Sequence, residues 1–225
     1  MLVTTFEGDA FSGVKITGRR SVVSGYGFSR CSFTSCVFAQ TDDPDHYLVV
    51  DGLRLTDCKA DQCGVQGVHL QDSLIQGLSC RQPQLLHACI FERVVLRGRI
   101  GSFRLLGPHP SLRKRDAFVS AMLARYQVVD WALDISEAEF AEVELTFLPG
   151  SLVRTDGETQ IVLRRERLAG AGQVEMPEYA SVWIRRFAQS PFDSMVVAAP
   201  RRSKHFDGYM RDIKWLIDAG WADFG

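Results

Sequence analysis

The sequence predicts a mainly β chain with some α: a solenoid of short strands, interrupted by one helix and capped by helices near the C-terminus. Three observations predict it. Apolar side chains recur every five residues from Phe6 to Leu106; three- and four-residue helical spacing appears only after Gly107; and no apolar run approaches the roughly 20 residues that cross a bilayer.

The repeat is clearest at Val50, Leu55, Ala60, Val65, Leu70, Ile75 and Cys80, seven apolar positions in succession. Two residues before each lie Leu48, Leu53, Cys58, Cys63, Val68, Ser73 and Leu78. The frame extends upstream through Phe6, Phe11 and Ile16 and, after a two-residue slip, Val23, Phe28, Phe33 and Phe38, and downstream, past the loop at residues 81–84, through Phe91, Leu96, Gly101 and Leu106. Of these 18 central positions 17 are apolar. Residues two apart on an extended segment share a face, so each unit turns one large and one small side chain inward and three residues make the corner. Asp9, Tyr26, Arg99 and Arg104 depart from the pattern at the small inward position. Thr41 to Asp45 and Arg81 to Gln84 read as loops thrown out from the solenoid.

The units LRLTD, CKADQ, CGVQG and VHLQD (Leu53 to Asp72) resemble those of the pentapeptide-repeat family, and the resemblance spans about residues 4–106. It implies a right-handed four-sided β-helix, with one unit per side.

Residues 1–107 form this predicted repeat region, 108–150 a helix and a second short repeat block, and 151–225 an α+β cap. Pro110 and Ser111 open a helix over 111–126 with Phe118, Met122, Leu123 and Tyr126 on one face. The period of five resumes with Ile135, Phe140 and Leu145 central, and Leu133, Ala138 and Val143 two before each. Residues 152–168 read as a hairpin turning at Asp156-Gly157. A helix opening at Pro177-Glu178 turns Tyr179, Val182, Trp183 and Phe187 inward and ends before Pro191; Met195 to Val197 read as a strand. Ser203 is the expected N-cap of a last helix that buries Phe206, Met210, Ile213, Leu216 and Ile217 and ends at Gly220. Ile90, Val95, Ile100 and Leu105 are apolar at outward positions, so these helices are expected to cover the last coil.

The 225 residues are 46% apolar and 24% charged, with 26 Lys plus Arg against 27 Asp plus Glu. A net charge of -1 gives no global field for nucleic acid or an anionic membrane. The start MLVTTFEGDA has neither a basic segment nor an apolar core, which predicts a cytoplasmic protein without a signal.

Catalytic signatures are not legible. Six cysteines (Cys31, Cys36, Cys58, Cys63, Cys80, Cys89) all fall at inward positions and read as buried packing thiols. His46, His69, His87, His109 and His205 are scattered without metal-ligand spacing, His69 and His87 reading as exposed. No nucleophile elbow, Walker loop or dinucleotide fingerprint occurs, so neither enzyme activity, metal nor cofactor is expected. One stretch has a dominant sign of charge: Asp134, Glu137, Glu139, Glu142 and Glu144 at outward positions of the second block. They are the candidate partner-binding residues, although Arg164-Arg165, Arg185-Arg186 and Arg201-Arg202 could neutralise them.

Over its longer course the chain looks like bacterial pentapeptide-repeat proteins found beside contact-dependent or secreted toxins. That resemblance implies a non-catalytic immunity protein whose partner is a toxin. The alternative is a DNA-mimicking, topoisomerase-protecting protein. Charge disfavours it, since residues 1–107 hold 11 basic and 10 acidic side chains.

Overall fold

The computed structural model describes residues 4–18, 21–45, 47–168 and 174–224. Its first half is laid down in successive passes. The first comprises β1 (Thr4–Glu7), β2 (Ala10–Ser12), β3 (Lys15–Thr17) and β4 (Val22–Ser24). The second comprises β5 (Tyr26–Ser29), β6 (Ser32–Thr34), β7 (Val37–Ala39) and β8 (Leu48–Asp51). Then follow β9 (Arg54–Asp61), β10 (Gly64–Gln66), β11 (Val68–Gln71), β12 (Leu74–Cys80), β13 (Gln84–His87), β14 (Ile90–Glu92) and β15 (Val94–Leu106).

Each pass pairs in parallel with the next, and the central residues stack into four ladders. Phe6, Phe28, Leu55, Ile75 and Leu96 make the first; Phe11, Phe33, Ala60 and Cys80 the second. Ile16, Phe38, Val65, Leu86 and Leu105 make the third; Val23, Val50, Leu70 and Phe91 the fourth. The sheets are parallel and strongly curled around these side chains. In the first two passes the rings stack directly, Phe6 on Phe28 at 5.1 Å and Phe11 on Phe33 at 5.3 Å, close to the strand spacing itself.

The corners have a common device. Two residues after the central side chain, the backbone is left-handed at fourteen of the described positions of the column, with φ between 46° and 70°. Seven are glycine (Gly8, Gly13, Gly25, Gly52, Gly67, Gly77, Gly98), which adopts that conformation without steric cost. At Gly67 a Cβ would lie 2.4 Å from the Gln40 carbonyl oxygen, a backbone atom that cannot swing aside. Gly67→Ala should therefore destabilise the protein by about 2 kcal/mol or more, read from a urea midpoint.

Two corrections to the repeat register emerge. Residues 81–83 alone leave the ladder; Gln84 opens β13 and turns inward, buried because its Nε2 donates to the Cys63 carbonyl at 2.9 Å, and Leu86 is a further central residue. Further on, β15 carries one extra residue between Arg97 and Ile100, absorbed at Gly98. The slip turns Ile100, Phe103 and Leu105 inward, where they are buried, and returns Arg99 and Arg104 to the outer surface. Of the other departures, Asp9 is exposed on the first pass and Tyr26 is half-buried.

After the column come α1 (Arg115–Tyr126), β16 (Leu133–Glu144), β17 (Val153–Arg154), β18 (Gln160–Arg164), α2 (Glu178–Ala188), β19 (Ser194–Ala198), α3 (Phe206–Asp218) and β20 (Ala222–Asp223). It is α1, not the C-terminal helices, that covers outward-facing Ile90: Phe118, Met122 and Tyr126 are buried, and the Tyr126 hydroxyl accepts the Phe91 N–H at 3.1 Å. β16 continues the large sheet beside β15, with Ile135, Phe140 and Leu145 inward as expected.

The expected 152–168 hairpin does not form. β17 pairs in parallel with β16, while β18 joins β19 and β20 in a separate antiparallel sheet; Asp156 holds the turn between them, accepting from the Glu158 and Thr159 N–H groups at 2.9 and 2.8 Å. Over this small sheet pack Ala180, Trp183, Phe187, Ile213 and Leu216. The N-cap of α3 is His205, two residues beyond the expected Ser203, whose Oγ accepts the His205 N–H; the helix's buried Asp212 accepts the Tyr179 and Ala180 N–H groups that open α2. Among the described residues no helix is long and apolar enough to cross a membrane.

Candidate interaction surface

All five acidic candidates lie on β16. Glu137 and Glu139 are exposed, while Asp134, Glu142 and Glu144 are half-buried. The register sets this row directly beside a basic one on β15: Arg97 opposite Glu137, Arg99 opposite Glu139, Arg104 opposite Glu144. Arg97 reaches Glu137 at 3.6 Å, Arg104 hydrogen-bonds Glu142, and Arg186 of α2 reaches Glu144 at 3.4 Å. Asp134 accepts the Ser136 N–H and hydroxyl at 3.1 and 2.7 Å. The surface is therefore banded, not uniformly acidic.

Most of the neutralising charge comes from β15, not from the C-terminal arginine pairs. Arg165 donates to the Ser190 and Phe192 carbonyls, Arg201 binds Asp156 and Glu158, and Arg202 donates to the Ile100 carbonyl. The signal was present in the sequence as Arg97, Arg99 and Arg104, but the unseen slip at Gly98 had placed two of these inward.

The thiols are free and point into the column. Cys31, Cys36, Cys58, Cys63 and Cys89 each lie 3.3 to 3.6 Å from the carbonyl two residues earlier. Burial pushes the Cys80 thiol up to about 11 and that of Cys89 up to about 12. At neutral pH almost none of either is thiolate, the reactive form. An aromatic disulfide reagent should thus titrate the native protein slowly and release six equivalents after denaturation; fast native reaction at three or more would contradict the inward register.

His69 corrects another expectation. It faces outward yet is 6% exposed, hydrogen-bonded to Glu92 at 3.0 Å beneath the end of α1. Glu92 also accepts from Arg93 at 2.6 Å and Arg125 at 2.7 Å, and Arg93 bridges to Asp72. Burial, and then the Arg125 guanidinium, hold the His69 imidazole below its usual range; burial pushes the Glu92 carboxyl up, but Arg125 and Arg93 outweigh it and keep it low. His87, half-buried, lies 3.0 Å from the Gly107 carbonyl and edge-on to His109. His46 lies outside the described residues, among which no group of three or more His, Cys, Asp or Glu could hold a metal ion.

Sequence reading did not anticipate the space inside the column. An apolar cavity of about 570 Å³ runs from Phe6 and Phe11 of the first pass down to Phe91 and Phe103. It reaches the surface at the first pass, where Val14 and Val22 are 39% and 64% exposed.

No protein-family model matches this chain, and no characterised protein or solved structure is significantly similar to it.

Proposed function

We propose that the chain is a right-handed four-sided β-helix of the pentapeptide-repeat kind, acting by binding another protein and not by catalysis. Its partner in this reading is a toxin, which it neutralises by direct contact as an immunity protein. What supports the architecture is the set of four ladders at a spacing of five, with a left-handed residue at the corners.

The observation that carries the binding role is the banded flank. Arg97, Arg99 and Arg104 stand in one row and Glu137, Glu139, Glu142 and Glu144 in the next, on strands fixed by backbone pairing. Charges held on a rigid sheet recognise a complementary pattern at little ordering cost and steer encounter. DNA mimicry needs uncompensated acid along the column, and here the acidic row is answered by arginine.

Replacing Glu137 and Glu139, the two exposed members, by Gln should leave folding intact. It should weaken binding to the toxin encoded beside the gene and flatten the salt dependence of the association rate. Unchanged protection by this folded variant would remove the banded flank from the mechanism.

A further inference from the structure

The two ends of the column differ. The last pass is followed by β16, β17 and the C-terminal elements, whereas among the described residues β1, β2, β3 and β4 each have a strand on one side only. Their inward residues Phe6, Phe11, Ile16 and Val23 are only half-buried, and the cavity opens among them. Such an edge is a template for another chain.

The ladder determines which backbone groups stand open. The Thr4 and Gly8 N–H groups donate to Gly25 and Ser29 of the second pass, so on β1 the N–H and C=O of Thr5 and Glu7 point outward from the end. On β2, Gly13 donates to Thr34 and Asp9 accepts from Ser32, leaving Ala10 and Ser12 open. On β3, Val14 accepts from Val37, leaving Lys15 and Thr17.

Two such ends facing each other across a two-fold axis run antiparallel on every flank, because each winds the same way seen from its own end. Antiparallel bonds form only where both residues direct their groups at each other. With Phe6 set opposite Ile16 of a second copy, Thr5 meets Thr17 and Glu7 meets Lys15: all four backbones are open, and Lys15 would join Arg30 of the second pass in facing the Glu7 carboxylate. The same operation lays β2 on itself, Phe11 opposite Phe11 and Ala10 opposite Ser12, which are again open. The wound end is also a staircase, falling by one strand spacing of about 4.8 Å over four flanks. About this axis the β1–β3, β2–β2 and β3–β1 contacts meet at equal separation, and β4 stands one strand back.

We infer that the N-terminal end is a self-complementary surface that pairs two copies of this chain head to head, β1 on β3 and β2 on β2. The inference rests on the four-sided column proposed above. Six open residue pairs exchanging two bonds each give about twelve backbone hydrogen bonds, the number a specific interface carries. Phe6, Phe11 and Ile16 then close the cavity mouth against their counterparts, in an isologous contact that cannot propagate into a fibre.

Sedimentation velocity of the full chain up to about 100 μM tests it, with a dimer expected. Ala10→Pro removes only an N–H that faces the open side, and should give a monomer with unchanged circular dichroism. Glu7→Lys and Lys15→Glu should each weaken association about ten-fold, and the two together should restore it to within about three-fold. A wild-type monomer throughout, a dimer indifferent to Ala10→Pro, or a monomer that takes a different protein at this end would overturn the inference. Thiol protection separates this failure from failure of the column: a monomer with slow thiols keeps the column, and one with fast thiols loses it.

Discussion

Leu70→Asp should leave the protein unfolded at room temperature. Leu70 is 7% exposed and stacks between Val50 and Phe91 in the fourth ladder. A carboxylate there would have no cation to meet, since the inward neighbours are apolar, and its burial costs several kcal/mol of a total stability of about 5–15 kcal/mol. The adjacent residue, His69, is not a fair control, because it is itself buried and an acid in its place would face Glu92. Ser79 is the proper one: it is exposed, it lies between inward Leu78 and Cys80, and its neighbour across the strand is Lys59. Ser79→Asp should change the urea midpoint by no more than about 0.5 kcal/mol equivalent. Equal stability of the two variants would show that the inward and outward faces had been misassigned.

That the inward residues could be read from the chain at all has a simple cause. A solenoid buries the same two positions of every unit, so the burial pattern is written locally and repeats, whereas the contacts of a globular core are scattered. The period failed only where one residue was added. The insertion at residues 81–83 hid the unit around Leu86, and the one at Gly98 exchanged Ile100 and Leu105 for Arg99 and Arg104. Glycine was the missed signal, since it occupies half of the left-handed corners and would have fixed the frame. The banded flank was legible only in part, because its acidic row lies within one strand while its basic row comes from a neighbour about 40 residues earlier, and pairing between strands depends on that frame. His69 was misread for a different reason: its exposure depends on α1, a non-repeating element whose docking leaves no periodic trace.

Glu92→Ala should be the most damaging substitution of a charged residue outside the inward register, costing about 2–4 kcal/mol. The Glu92 side chain is 12% exposed and accepts from Arg93, Arg125 and His69, so it ties α1 to the column. Its removal leaves the His69 imidazole without its hydrogen-bond partner and the Arg125 guanidinium half-covered and unanswered. By contrast Glu158→Ala, which cuts an exposed pair with Arg201, should cost less than about 1 kcal/mol. The same cluster contributes to the acid response, beside His87, Asp72 and Asp156, which are also held below their ordinary values. His69 and Glu92 are both held below their ordinary values, so the unfolded chain takes up their protons first and stability falls as pH falls. The loss begins below 6.5, the ordinary value of the imidazole, and deepens below 4.5 as the carboxylate joins it. His69→Asn should reduce the slope of the upper part of a denaturation curve measured against pH, leaving the share that belongs to His87, and leave the lower part in place. A wild-type stability that rose between pH 7 and 5 would show that His69 is stabilised as the cation, with the pull of Glu92 outweighing burial and Arg125.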